Sequence, residues 1–234
     1  MSDIAQQIRS DLREQADSKT KSSFQRFFKE EVKYHGVKSA TVVKIAKKYF
    51  SQVRELAKEE LFSLCEELFM SGYCEESWIA ANWSHWYGDY DESDFKVYEQ
   101  WIDKYIDDWA KCDTLCNHTV GAFIEKYPRY VEELKKWAKS RNRWLKRASA
   151  ASLIIPARRG EFLPDILEIA DILLLDPDDM VQKGYGWMLK EASRTHQKEV
   201  FGYVLKHKKD MPRTALRYAI EKMPVELKKE AMKK

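Results

Sequence analysis

The stretch Trp144-Leu145-Lys146-Arg147-Ala148 returns in character 36 residues later as Met180-Val181-Gln182-Lys183-Gly184. Each set runs apolar, apolar, polar, basic, small. The segment Trp78-Ile79-Ala80-Ala81-Asn82 keeps the opening of the pattern without the base. It lies 66 residues before Trp144, which leaves room for one intervening unit near Trp109. A period of about 30–40 residues built from helix pairs is the mark of stacked HEAT-like repeats, in which a pair buries its apolar face only against its neighbours. The expected fold is therefore all-α: an α-α superhelix, or solenoid, of HEAT-like repeats in a single domain over 1–234. Residues 1–53 would form N-terminal helices, and 54–234 stacked helical pairs. The second helices of successive pairs would line a concave, basic face.

Working outward, almost every segment has helical periodicity. Residues 54–69 place Leu56, Leu61, Leu64, Cys65 and Leu68 at helical intervals, 130–138 place Val131, Leu134 and Trp137, and 161–175 place Phe162, Ile166, Ile169 and Leu173. Helix starts are expected at Ser39, at Pro128 and after Asp176-Pro177. About a dozen helices joined by short loops follow. No stretch alternates with period two, and 8 Gly and 6 Pro are too few to punctuate an all-β chain of 234 residues.

With 8 Trp, 12 Tyr and 10 Phe, the chain can bury more apolar surface than a disordered chain carries. Runs such as Leu173-Leu174-Leu175 fall far short of the roughly 18 residues of a membrane span. The polar N-terminal stretch has no apolar signal core, so the cytosol is the expected location. Cys65, Cys74, Cys112 and Cys116 form no CxxC pair and fit reduced thiols. The net charge of +3 conceals a segregation: +6 over residues 1–54, −12 over 55–113 and +9 over 114–234. Basic flanks around an acidic middle suit an anionic partner on one face, and equally suit solvated outer helix faces.

No Gly-rich phosphate loop, HExxH or GxSxG occurs, so any chemistry must come from carboxylates, aromatics and bases. Trp109 and Asp113 stand one helical turn apart on one face. An indole beside a carboxylate suits a substrate that carries or develops positive charge; the same spacing also fits a core Trp beside a capping or surface Asp. Arg141, Arg143, Lys146 and Arg147 surround Trp144, and Lys183 repeats the place of Arg147. Bases repeated along a groove could track successive phosphates. Gly184 and Gly186, costly inside a helix, signal close packing or a ligand near the backbone. Trp187, Lys190 and Arg194 continue that helix.

Taken together, WxxxD at 109–113, WLKRA at 144–148 and QKGYGWMLKE at 182–191 resemble the DNA alkylation repair glycosylases of the HEAT-like repeat type, the AlkD family. Residues 26–49 resemble its N-terminal helical region. The resemblance implies a monofunctional DNA glycosylase that removes cationic N3- and N7-alkylated purines from double-stranded DNA, as a monomer in the bacterial cytosol and without metal or organic cofactor. It implies Asp113, Trp109, Trp187 and Arg147 as the catalytic set. Backbone contacts are expected from Lys38, Ser39, Lys44, Arg143, Lys183, Lys190 and Arg194. Two departures stand out. Asp108 replaces a Trp that often precedes the first catalytic one, adding negative charge beside the expected site, and Phe27 replaces an N-terminal Tyr. A non-catalytic HEAT-like protein that reads damaged or branched DNA by shape is the alternative, and a protein-interaction scaffold a third reading. The charge pattern gains a geometry from this: bases of 26–48 and 140–217 on the concave face, most acids of 55–108 on the outside, and Asp113 a carboxylate within the basic groove.

Overall fold

The structure, a computed structural model, describes residues 2–233. Among them every regular element is helical and there is no strand. The chain forms two compact units, Met1–Leu115 and Cys116–Lys234.

The first unit contains α1 (Asp3–Glu14), α2 (Ser18–Gln25), α3 (Ser39–Val53), α4 (Lys58–Met70), α5 (Cys74–Tyr87), α6 (Asp94–Tyr105) and α7 (Trp109–Thr114). α1 is amphipathic, burying Ala5, Ile8 and Leu12, and Ser2 caps it by accepting from the Ala5 N–H at 3.3 Å. α3, α5 and α7 pack side by side, and α4 and α6 lie as a second layer, α4 packing against α5. α5 is buried almost throughout, from Cys74 to Ala81, because neighbours cover it on several sides. Trp83 is fully enclosed, yet its indole N–H reaches the Ala46 carbonyl at 2.9 Å, so its burial leaves no orphan donor.

A π-helical stretch, Leu115–Val120, leads into the second unit. That unit has α8 (Gly121–Lys126), α9 (Val131–Trp137), α10 (Arg143–Ala151), α11 (Ile154–Arg159), α12 (Leu163–Leu173), α13 (Asp179–Ala192), α14 (Gln197–His207), α15 (Arg213–Ala219) and α16 (Val225–Met232). Here α10, α13 and α15 pack side by side, while α9 packs on α12 and α14 on α16.

The caps of the side-by-side helices give the repeat its ruler. They fall at Lys38, Tyr73 and Asp108 in the first unit and at Asn142, Asp178 and Pro212 in the second, every 34–36 residues. The 36-residue echo is thus a register of helix starts. Asn142 and Asp178 both cap with their side chains, Asn142 accepting from Trp144 N–H and Asp178 from Met180 N–H, each at 2.8 Å.

Several expected boundaries move. Ser39 is the first helical residue of α3 and Lys38 its cap. Pro128 opens a 3₁₀ turn, Pro128–Tyr130, ahead of α9. Asp178, not Asp176, caps α13, and residues 54–57 lie outside α4.

The acids of 55–108 divide. Glu55, Glu59, Glu60, Asp103 and Asp107 are exposed, but Glu75, Glu76, Asp94 and Asp108 are buried. Burial is tolerated because each of the four meets donors. Glu75 accepts the backbone N–H groups of His35, Gly36 and Val37 at 3.1, 2.8 and 3.0 Å, fastening the segment before α3 onto α5. Glu76 takes Arg9 Nε at 2.9 Å and faces His35 Nε2 at 3.0 Å. Asp94 accepts the Asp91 N–H at 2.9 Å. Gly36 has φ +99°, and a Cβ there would lie 2.9 Å from the Asp17 carbonyl, so only glycine fits this clasp.

Candidate functional site

Trp109 and Asp113 share α7, a turn apart, as their spacing predicts. What fixes that short helix is Asp108. Its carboxylate accepts the N–H groups of Ala110 and Lys111 at 2.8 and 2.9 Å, completing the cap, and takes the Cys74 thiol at 3.0 Å. Lys111, whose side chain is wholly buried, donates to the Gly72 carbonyl at 2.8 Å and to Asp107 at 2.6 Å, and stands 3.5 Å from Asp108. Burial pushes the Asp108 carboxyl above its ordinary range, with Lys111 working against that shift. Burial pulls the Lys111 ammonium down, but the hydrogen bond to Asp107 and the charge of Asp108 outweigh it and leave its pKa raised. Asp108 is therefore a buried structural cap paired with a lysine. It does not add open negative charge beside Trp109, as its sequence position suggests.

The Trp109 ring stacks on Phe28, centroids 5.2 Å apart and planes at 19°, and its indole N–H reaches the Phe27 carbonyl at 3.3 Å. Phe28 also meets Tyr34 edge-on at 6.5 Å, so the segment clasped by Glu75 buttresses the indole. Asp113 is 9% exposed, a largely buried carboxylate that keeps a small accessible surface. Phe27 is 70% exposed beside this cluster. It also lines a cavity of about 380 Å³ with Phe24, Lys19 and Lys38.

Arg147 and Trp187 belong to the second unit. Arg147 is 5% exposed, and its Nη1 donates to the Met180 carbonyl at 2.6 Å. Gly184 explains how it fits: a Cβ there would sit 3.3 Å from Arg147 Cγ. Gly186 faces α15, where a Cβ would fall 2.7 Å from Tyr218 Cβ and 2.8 Å from the Ala215 carbonyl. The two glycines thus serve helix packing, one of the two uses their sequence allows. Trp187 is half-buried, with Lys190 Nζ 5.9 Å from its ring centre.

Three of the expected positions share one place in the cap register along the chain. Asp113, Arg147 and Lys183 each stand five residues after the cap of their helix. Arg217 holds the same place after Pro212 and is exposed. Sequence reading related Lys183 to Arg147 but missed both Asp113 and Arg217 as members of this row. Aligning predicted caps, and not only apolar residues, would have found them.

The remaining expected contacts are surface groups. Lys38, Ser39 and Lys44 are exposed on and before α3. Arg143 lies over the Trp144 ring at 5.0 Å and pairs with Asp178 at 2.8 Å. Lys183 pairs with Asp179 at 3.2 Å, Lys190 with Glu221 at 3.1 Å and Arg194 with Glu191 at 2.6 Å. Glu191 is buried, whereas Asp178, Asp179 and Glu221 are partly exposed, and partly exposed pairs are weak enough for phosphates to compete for the bases. Among the described residues no group of three or more His, Cys, Asp or Glu could hold a metal ion, and no helix is long and apolar enough to cross a membrane.

The sequence profile of the DNA alkylation repair enzyme family matches residues 8–223, nearly the whole chain. The chain belongs to the DNA alkylation repair enzyme family. A solved structure described as a predicted DNA alkylation repair enzyme from Enterococcus faecalis is similar over 90% of this chain and 98% of that one, with a TM-score of 0.80 at 13% identity. At that identity the likeness establishes the shared all-α fold. No curated protein matches the chain. Family membership gives the protein a role in the repair of alkylated DNA, with DNA as its substrate.

Proposed function

We propose that the protein is a monofunctional DNA glycosylase that hydrolyses the N-glycosidic bond of cationic N3- and N7-alkylated purines in duplex DNA. The observation that carries this reading is α7: a largely buried carboxylate, Asp113, one turn from an indole that is stacked and hydrogen-bonded in place. The AlkD-type resemblance assigns those two positions to catalysis.

The chemistry asks for such a pair. Alkylation at N3 or N7 makes the purine a neutral leaving group, so the remaining barrier is positive charge building on the deoxyribose. A preorganised carboxylate stabilises that oxocarbenium-like transition state, and more strongly where water is scarce. Asp113 takes this role and orients the attacking water. Trp109 and Trp187 offer π-faces to the cationic nucleotide. Arg147 holds a backbone phosphate, and Lys38, Ser39, Lys44, Arg143, Lys183, Lys190 and Arg194 extend the backbone contacts. In this reading selectivity comes from the instability of the lesion and not from readout of a flipped base. In this reading the chain works as one HEAT-like repeat domain, as a monomer and in the cytosol.

Chromatography of bases released from methylated duplex DNA tests the proposal. The expected result is release of 7-methylguanine or 3-methyladenine, with Asp113→Asn lowering the rate by about 100-fold or more while DNA binding is nearly unchanged. Equal release by both proteins removes Asp113 from the mechanism. Salt-sensitive DNA binding with no base release favours the non-catalytic reader of damaged or branched DNA.

A further inference from the structure

Trp109 is the first residue of α7 and is partly exposed, and the ring is held from outside its own helix. The stack on Phe28 and the indole hydrogen bond to the Phe27 carbonyl both come from the chain between α2 and α3. The anchor of Asp108 and Lys111 sets the backbone of α7. It does not choose among the rotamers of the indole, and a partly exposed side chain keeps several unless a neighbour selects one.

Residues 26–38, which carry Phe27 and Phe28, contain no helix. A segment without its own hydrogen-bond ladder is placed by the groups that grip it. The start of α5 does so residue after residue. The Cys74 N–H donates to the Lys33 carbonyl at 3.0 Å. Glu75 Oε1 accepts from Gly36 and Val37 at 2.8 and 3.0 Å, and Oε2 from His35 at 3.1 Å. On its other side the Gly36 carbonyl accepts the Asp17 N–H at 3.0 Å. Tyr34, next to this grip and itself buried, meets Phe24 edge-on at 4.6 Å and Phe28 edge-on at 6.5 Å. Phe28 in turn stacks on the indole.

We infer that Glu75 is a positioning residue for base excision: through 35–37, Tyr34 and Phe28 it holds the Trp109 indole in the orientation that the reaction uses. The inference rests on the glycosylase reading of Trp109, and adds a residue of α5 that touches neither substrate nor indole. The choice of side chain supports it. Glu75 is fully buried, and a buried carboxylate is a costly way to hold a loop that an apolar side chain could cover. What the carboxylate adds is direction. Charge-assisted hydrogen bonds to three successive N–H groups fix the path of the backbone, which non-directional apolar contact does not. The chain of contacts ends on the ring whose rotamer α7 leaves open.

The test uses the full chain. The indole N–H resonance of Trp109, assigned with Trp109→Phe, is followed by NMR in wild type, Glu75→Ala, Glu75→Gln and Gly186→Ala. Glu75→Gln keeps one oxygen for Gly36 and Val37, and Gly186→Ala strains the second unit without touching residues 26–38. The expected result is that Glu75→Ala shifts the resonance and speeds exchange of the indole proton with water by about 10-fold. Glu75→Gln should do so by less, and Gly186→Ala should leave both unchanged. Release of 7-methylguanine from methylated duplex DNA at saturating protein should slow about 10-fold in Glu75→Ala, with DNA affinity within about 2-fold of wild type. On a Trp109→Ala background the same substitution should change the rate by less than about 2-fold, because its effect runs through the ring. A wild-type Trp109 resonance in Glu75→Ala, or in Glu75→Gln should the alanine variant not fold, overturns the inference. So does an equal shift in Gly186→Ala, or an undiminished loss of rate on the Trp109→Ala background. Absence of base release from wild type refutes the glycosylase reading, whereas the resonance judges the grip of Glu75 alone.

Discussion

Helices α7 and α13 start in the same register of one repeat, yet they are held by opposite means. Both are capped by an aspartate. Three residues after the cap, α13 has Val181, fully buried and apolar, and α10 has Leu145, also buried. At that position α7 has Lys111, whose charge is buried against Asp107, Asp108 and the Gly72 carbonyl. α13 then gains its fit from glycine, with Gly184 admitting Arg147 and Gly186 admitting α15. One helix is placed by enclosed charge and the other by close approach. A short helix of six residues has little apolar face of its own to dock with. A capped, charge-paired anchor gives it a defined orientation, and that orientation sets where Trp109 and Asp113 point.

The largest effect should come from removing the charge anchor. Lys111→Met makes α7 resemble α10 and α13 in pattern, and if register alone mattered it would be neutral. It instead leaves Asp108 buried without its counter-charge, and a loss of about 3–5 kcal/mol in urea unfolding at neutral pH is expected. The pH dependence follows in sign. Burial already raises the Asp108 pKa above its ordinary 3.8, and loss of Lys111 raises it further. The folded variant then binds a proton that the unfolded chain releases, so its stability increases as pH falls from neutral toward that ordinary value. The gap to wild type should narrow on acidification. Asp108→Ser/Lys111→Met, which keeps a cap and deletes both charges, should recover most of the loss.

The glycine side of the comparison should give a smaller effect. In Gly186→Ala the new methyl group meets the Ala215 carbonyl at 2.8 Å, and a backbone atom cannot swing aside. Overpacking of this kind costs about 1–3 kcal/mol, read as a lower urea midpoint. Gly184→Ala presses on Arg147 Cγ at 3.3 Å, a side-chain atom that can shift, and should cost less.

This contrast also explains what the sequence revealed. The echo between 144–148 and 180–184 survives as a register because caps and apolar positions are local signals, written within one turn of chain. The partnership of Asp108 with Cys74, of Lys111 with the Gly72 carbonyl, or of Glu75 with the backbone of 35–37, joins residues far apart along the chain. An Asp next to Trp109 reads locally as a charge near the site, and only the packing of α5 against α7 turns it inward. Trp109 and Asp113 were legible as a pair from spacing alone, whereas the stacking of Trp109 on Phe28 depends on how the segment before α3 folds back. Gly184 and Gly186 were legible as close-packing positions, but not which neighbour each admits.

The smallest effect isolates the cap itself. Asp178 accepts from Met180 N–H at 2.8 Å and pairs with Arg143 at 2.8 Å, with its side chain 25% exposed. Asp178→Ala should cost about 1 kcal/mol, the ordinary worth of a cap, because a partly exposed pair adds little. Asp108→Ala removes the same kind of cap in the same register. If capping were the whole contribution, the two variants would unfold at the same urea concentration. The enclosed Lys111 makes the Asp108 variant the less stable of the two, and that difference measures how much of the placement of α7 rests on buried charge.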